Sequence, residues 1–449
     1  MTFSKSLILF NLKDTYGSNL ISIRRALSKA SGTYYGWRLI PIAGLVMSLT
    51  TAPMFHAMGI WFVAMESTFG WNRTQLSLAF AFTRIEGGIL GPIEGYLIDR
   101  LGTRRLVLIG LVISGIGWVI FSQIHSLWMF YLAYLVVSLG QGLGSWLPLN
   151  TMLNNWFNKK RTIAMGLSNS SSRIGSLILL PVIAWSVDPD ADRLGWSLTT
   201  AILGLAILGL AFPVSRLIRN RPEDHGLLPD GEPIAQDNSL GAIAATDEQH
   251  YEFTLVEALR TRAFWFLSLG HGFTSMVLIA MMAHLAPMMP DRGYGIQTAA
   301  FVLTAYTVTS MIFQVVGGFI GDKVPKNIAL MVFTFIQSAS VFLLIFGPTT
   351  LVTAYSFAVL FGIGFGGRNP LTTSIRGEYF GRKSFGKIMG VSQVPMNLLL
   401  LFAPMFAGVM RDWQGDYIVA FSVLAGVGFV GSIMFLLSTR PRIPKNVSV

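Results

Sequence analysis

Gly95-Tyr96-Leu97-Ile98-Asp99-Arg100 returns later in the chain as Gly318-Phe319-Ile320-Gly321-Asp322-Lys323, 223 positions on. The same offset of 223 relates Trp156-Phe157-Asn158-Lys159-Lys160 to Tyr379-Phe380-Gly381-Arg382-Lys383. An offset of 222 relates Gly140-Gln141-Gly142-Leu143-Gly144, with Pro148, to Gly362-Ile363-Gly364-Phe365-Gly366, with Pro370. Three matches spread over half of a 449-residue chain mark an internal duplication.

The duplicated unit is built from membrane spans. The chain is 52% hydrophobic and only 12% charged, against about 25% charged in soluble domains. Apolar stretches of about 20 residues, each long enough to cross a bilayer, recur from end to end. They lie near 38–64, 75–98, 106–125, 128–152, 163–186, 195–217, 263–288, 298–321, 327–346, 350–375, 386–409 and 416–438. The expected fold is therefore all-α and polytopic: twelve transmembrane helices in two pseudo-symmetric six-helix bundles. The expected organisation is an N-terminal tail (1–37), a first bundle (38–217), a linker (218–262), a second bundle (263–438) and a C-terminal tail (439–449).

Charge orients the bundles. Lys5, Lys13, Arg24, Arg25, Lys29 and Arg38 share one side with Arg100, Arg104, Arg105, Lys159, Lys160 and Arg161. Lys323, Lys326, Arg376, Arg382, Lys383, Lys387, Arg440, Arg442 and Lys445 join them. The alternate loops hold only Arg73, Arg193, Arg292 and Arg411, beside Asp188, Asp190, Asp192, Asp291, Asp412 and Asp416. The positive-inside rule makes both termini and the linker cytoplasmic, in a cytoplasmic (inner) membrane. The net charge of +11 thus reads as topology, and no nucleic-acid partner is expected. The first 36 residues hold one short apolar run, Leu7 to Phe10, and read as a tail with an interfacial helix, not as a signal peptide. The polar linker reads as partly disordered, ending in a surface helix from Thr254 to Arg262. The absence of cysteine removes disulfides, thiol catalysis and thiolate metal sites. The Gly140–Gly144 run lies inside an apolar helix with no preceding strand, so it is not a nucleotide loop. No enzyme activity, cofactor, metal or nucleotide is expected.

Gly95–Asp99-Arg100-Leu101-Gly102-Thr103-Arg104-Arg105 resembles the cytoplasmic signature between the second and third helices of the major facilitator superfamily. Finer features are similar to prokaryotic carriers related to monocarboxylate transporters and oxalate–formate exchangers. They are Phe69-Gly70-Trp71-Asn72-Arg73, then Asn155-Trp156-Phe157 with Lys160-Arg161, and Arg221-Pro222-Glu223-Asp224-His225-Gly226-Leu227-Leu228-Pro229. The resemblance implies alternating access, a small organic anion as substrate, and a central cavity bordered by spans 1, 2, 4, 5, 7, 8, 10 and 11. It implies a gate of Gly95, Asp99, Arg100, Arg104 and Arg105, with Asp322 as the second copy, the acid capping a neighbouring helix N-terminus in one conformation. The chain departs from such carriers in having no arginine in the eighth span and only Lys387, at the span's end, in the eleventh.

Few charges lie inside the spans: Arg84, Glu86 and Glu94 in the second, Arg173 in the fifth and Arg368 in the tenth. Each needs a partner or a wet cavity. Arg173 and Arg368 can anchor a carboxylate bidentately, or can be neutralised by protein acids. Two acids do not balance three arginines, and an anionic ligand completes the balance. Arg84 and Glu86 lie about 200° apart around a helix, so one is expected to face the cavity and the other to pair with a neighbouring helix. Glu86 is the candidate proton-coupling group. Gly87, Gly91 and Gly95 form a small-residue ridge suited to close helix approach. His56, His271 and His284 are candidates for substrate contact or proton relay, or are packed and neutral. Gln141, Asn150 and Asn397 line the cavity or bond between helices.

These readings converge on secondary active transport of a small organic anion, most simply a monocarboxylate, by a monomer using proton symport or anion exchange. The alternatives are efflux of an amphipathic or cationic compound and, more remotely, a non-transporting membrane sensor.

Overall fold

A computed structural model describes residues 34–187, 193–231, 251–294 and 296–443. The tail with its Leu7–Phe10 run, the loop acids Asp188, Asp190 and Asp192, the linker centre 232–250 and Lys445 lie outside the described residues. Among the described residues every regular element is helical. Eleven helices among the described residues are long and apolar enough to cross a membrane. The remaining span, second in chain order, is Arg73–Leu101, 29 residues long, whose apolar character is diluted by Arg84, Glu86, Glu94 and its glycines.

The first span is interrupted: Tyr35–Thr51 passes into a π turn, Ala52–His56, and resumes as Met58–Phe69. Pro53 cannot donate a ladder hydrogen bond, and the widened turn leaves carbonyls over. The indole of Trp61 donates to Pro53 O at 2.7 Å, and the hydroxyl of Tyr134 to Met54 O at 2.6 Å. The fourth span is also broken, into Leu127–Gly144 and Trp146–Trp156 about Ser145, whose hydroxyl accepts from Thr50 Oγ1 at 2.8 Å. The two interruptions therefore lie side by side.

The remaining spans are Thr103–Phe121, Arg161–Val187 and Gly195–Leu217 in the first half. The second half contains Arg262–Asp291, Ile296–Gly321, Lys326–Phe346, Leu351–Phe380, Phe385–Gln414 and Ile418–Leu437. Gly102 adopts φ +79 and makes the one-residue turn between the second and third spans, a conformation glycine takes without strain. Contacts obey the duplication. The third span packs on the fourth and sixth as the ninth packs on the tenth and twelfth, and the first lies on the fifth as the seventh lies on the eleventh. The halves meet along the second and eleventh spans and along the fifth and eighth.

Glycines set both meetings. A Cβ on Gly91 would lie 3.2 Å from Gly390 O, and one on Gly95 would strike the backbone of Gly386. Gly166 and Gly318 are equally close to the backbones of Gln314 and Ile163. Small residues thus bring the halves together at their basic ends.

Two boundaries correct the sequence reading. The tenth span continues to Phe380, and the fifth begins at Arg161. Arg376 and Arg161, placed above in loops, are therefore 1% and 3% exposed. The linker's helix is shorter than expected, Leu255–Leu259, and opens with a capping box in which Thr254 and Glu257 exchange hydrogen bonds.

Candidate functional site

The two candidate gate acids, Asp99 and Asp322, bond to backbone donors. Asp99 accepts from the N–H groups of Gly386 and Lys387, each at 3.2 Å, at the start of the eleventh span. Its copy Asp322 accepts from Thr162 and Ile163 at 2.9 and 3.0 Å, at the start of the fifth. Each carboxylate neutralises exposed donors at the positive end of a helix belonging to the other half. Gly95 supplies the close approach that lets Asp99 reach. The arginines behave differently from expectation. Arg100 donates to Tyr96 Oη at 3.3 Å, Arg104 uses its backbone N–H to bond Asn220, and Arg104 and Arg105 are exposed. The cations nearest Asp99 are Lys387 and Arg221 instead.

A second tier of contacts closes the same end. The Thr162 hydroxyl donates to Ser374 Oγ at 3.0 Å. Arg382 pairs with Glu223 at 2.5 Å and donates to Asn155 O at 2.8 Å, joining second-half loop, first-half helix and linker. Asp230 accepts from the N–H groups of Asn158, Lys159 and Lys160 at 2.7–3.2 Å, and Glu252 from those of Arg382 and Lys383 at 2.7 Å. The two ends of the linker thus cap equivalent loops of the two halves.

Inside the bundle the candidate residues sort into two groups. Arg173 lies 5.4 Å and Arg368 5.7 Å from the centroid of one ring, Phe365. Two spans from opposite halves thereby bring their guanidinium groups to a single aromatic platform. Tyr306 packs on Phe361 and Phe365 and lies within electrostatic reach of both arginines. Arg368 is 2% exposed. It donates to Thr274 Oγ1 at 2.5 Å and Ser275 Oγ at 3.3 Å, and its Nε has no partner. Among the described residues no carboxylate makes an ion pair with Arg173 or Arg368. His56, at the end of the π turn, lies within electrostatic reach of Arg173.

The second group surrounds a cavity of about 220 Å³ between the first, second, fourth and eleventh spans. Arg84, Glu86, Glu94, Gln141 and Asn397 all line it, with Gln393 and Phe55. The expectation that Arg84 and Glu86 diverge is overturned. The long arginine stem swings its guanidinium over Phe55, 5.3 Å from the ring centroid, while Glu86 points toward Ser138. One oxygen of Glu86 is buried without a partner. Gly142 clears the space for the Glu94 carboxylate, since a Cβ there would meet it.

Two candidates fall elsewhere. His284 bridges Tyr417 Oη at 3.3 Å and Pro404 O at 2.9 Å, tying three spans of the second half together. Asn150 bonds back to Trp146 O at 2.8 Å within its own helix. His271 is packed beside Arg368 and Arg376, with Nδ1 unpartnered. Sequence reasoning missed Arg376, whose guanidinium caps the carbonyls of Thr372 and Leu267. Unbroken helical periodicity past Ile375 was the available signal. It missed Phe365 and Tyr306 as well, because aromatic residues are unremarkable in apolar helices.

The family model of the Major Facilitator Superfamily matches residues 42–299 and 265–449. Monocarboxylate transporter 12 of Xenopus laevis is 24% identical over 433 residues, covering 92% of this chain and 90% of its own. Monocarboxylate transporter 13 of Rattus norvegicus is 25% identical over 403 residues, covering 89% and 87%. Among solved structures, the major facilitator transporter FucP in its outward conformation matches with a TM-score of 0.70 at 14% identity. That match covers 90% of this chain and 100% of the other, and concerns the fold alone. With both halves matched, and with the Asp99 and Asp322 caps repeated between them, the chain belongs to the major facilitator superfamily, a family of membrane transporters and not of enzymes.

Proposed function

We propose that this protein carries a small organic anion, most simply a monocarboxylate, across the cytoplasmic membrane by alternating access, driven by proton symport or anion exchange. The observation that carries the reading is the meeting of Arg173 and Arg368 on Phe365 with no carboxylate among the described residues paired to either. A buried guanidinium at Arg368 and a half-buried one at Arg173, neither paired with an acid of the described residues, suit a carboxylate that arrives and leaves. Relatives named as monocarboxylate transporters support the same substrate class. Glu86, with one unpaired buried oxygen beside the cavity, is the group to load and release the coupling proton. The capped ends at Asp99 and Asp322 hold one face shut, and release of both opens it.

Uptake of radiolabelled short carboxylates into proteoliposomes, with and without a proton gradient, tests this. Carboxylate uptake abolished in both Arg173→Ala and Arg368→Ala is the expected result, and wild-type uptake in both would refute the anion site. The glutamates in the cavity favour a second reading, efflux of a cationic compound. Failure of simple carboxylates to inhibit transport would select it. The charge asymmetry between alternate loops supports cytoplasmic termini and a cytoplasmic linker. Single cysteines introduced at Asn238 and Asp190 should label from opposite sides, and labelling of both from outside would reverse the assignment.

A further inference from the structure

Arg368 is gripped by two successive hydroxyls of the seventh span: Thr274 Oγ1 accepts from its Nη1 at 2.5 Å and Ser275 Oγ from its Nη2 at 3.3 Å. The Thr274 hydroxyl donates its own proton to Gly270 O, 2.8 Å away and one turn back, so it offers the guanidinium lone pairs alone. Gln337 of the ninth span donates to Thr274 O at 3.2 Å and ties that turn to a third helix. Thr274, Ser275 and Gln337 are all buried. Three arginines follow one another along this stretch of chain with three kinds of support. Arg368 has the hydroxyls, Arg376 has the carbonyls of Thr372 and Leu267, and Arg382 has the carboxylate of Glu223. Tyr306 and His271, also beside Arg368, bring no acid.

We propose that Thr274 and Ser275 are positioning residues of the anion site: their uncharged oxygens fix the direction of the Arg368 guanidinium and leave its charge to the substrate. The proposal rests on the organic-anion reading and adds how one anchor is held. A free arginine side chain must be ordered when a ligand arrives, which costs affinity. Bonds to both Nη atoms from adjacent residues set the plane of the fork beforehand. A carboxylate at the same place would aim the fork equally well, but it would also neutralise the charge and compete with the incoming anion. Hydroxyls aim without competing. The Nε of Arg368 is buried and unpartnered, one donor of the fork still unused. The cradle lies wholly on the seventh, ninth and tenth spans, so it holds while one half rocks against the other.

Calorimetry and thermal unfolding on the full chain in lipid nanodiscs, with propionate and benzoate as probes, test it. Thr274→Val keeps the shape and removes the acceptor, and should weaken both acids about tenfold, the worth of a hydrogen bond to a charged group. Thr274→Ser should restore them. Ser275→Asp sets a carboxylate against Arg368, and should weaken both acids at least about a hundredfold while the unfolding temperature holds or rises. Ser275→Asn, of the same size and uncharged, should stay near wild type. Should Ser275→Asp fail to fold, the Thr274 pair still decides. Wild-type affinity in Thr274→Val or in Ser275→Asp, with binding lost in Arg368→Ala, overturns the positioning role and leaves the anion reading standing. Equal losses in Ser275→Asn and Ser275→Asp overturn it too, since bulk and not charge would be at work. Wild-type binding in Arg368→Ala overturns the proposal, and the same result in Arg173→Ala as well, or no binding of either acid to the wild type, removes the anion reading with it.

Discussion

The two halves share their main helix contacts, though the seventh span packs on the twelfth far more than the first does on the sixth, and they build their central spans differently. In the first half the first span carries the π turn Ala52–His56, and the fourth breaks at Ser145. Their counterparts in the second half, Arg262–Asp291 and Leu351–Phe380, run unbroken, the latter straight through Pro370. The first half holds the interior acids Glu86 and Glu94 beside a cavity. The second buries Arg368 and Arg376 against hydroxyls and carbonyls. Backbone-level contacts, the Asp99 and Asp322 caps above all, survived duplication because they depend on glycine and one carboxylate. Even matching letters changed meaning. Gly140 and Gly144 face the third span at Ser114 and Gly110, whereas Gly362 and Gly366 face the eighth at Tyr306 and Ser310. A one-residue difference in offset turns a helix by about 100° and presents another neighbour.

The largest effect should come from the arginine pair, where the halves meet. Arg173→Ala or Arg368→Ala should weaken carboxylate binding by about 2–5 kcal/mol, because the anion loses a desolvated partner. Lysine should recover little, lacking the planar fork. A loss confined to one of the two variants would assign the anchor to one half only. Glu86→Gln addresses the acid-bearing half. Concentrative uptake driven by a proton gradient should disappear while counterflow between loaded compartments persists, since exchange of loaded carriers moves no net proton. Loss of both would make Glu86 a binding or structural group.

Arg376 separates burial from binding within the second half. Arg376→Leu should cost about 1–3 kcal/mol of stability by removing the guanidinium's charge-assisted hydrogen bonds to the carbonyls of Thr372 and Leu267, with carboxylate affinity unchanged. Thermal unfolding and calorimetry on the same preparation read both. The smallest effect belongs to the paired caps. Asp99→Asn and Asp322→Asn should each shift the population toward opening at the basic end by about 0.3–1 kcal/mol, the worth of a charge at a helix terminus. Distances between spin labels on the two halves would report it. A large shift from one variant and none from the other would break the symmetry between the gates.

Several features were legible from residue order alone: the duplication, the spans, the clustering of basic residues in alternate loops, and the two repeated acids Asp99 and Asp322. Each is a local pattern repeated along the chain, since a bilayer demands apolar stretches of a set length and a tight turn demands Gly102. The positions of Arg173 and Arg368 inside spans were equally readable. That they converge on Phe365 was not, because no pattern along one helix states which side chain of another it will meet. Nor could the sequence show Arg84 and Glu86 lining one cavity. Their angular separation was read correctly, but the reach of an arginine stem outweighs it once Phe55 and Tyr134 stand beside the helix. Arg376 looked like a loop residue until the tenth span was seen to continue to Phe380, enclosing it against the seventh. Helices are specified by neighbours in sequence. The site is specified by neighbours in space, from spans more than a hundred residues apart, and only their packing decides which charges are paired and which are left for a ligand.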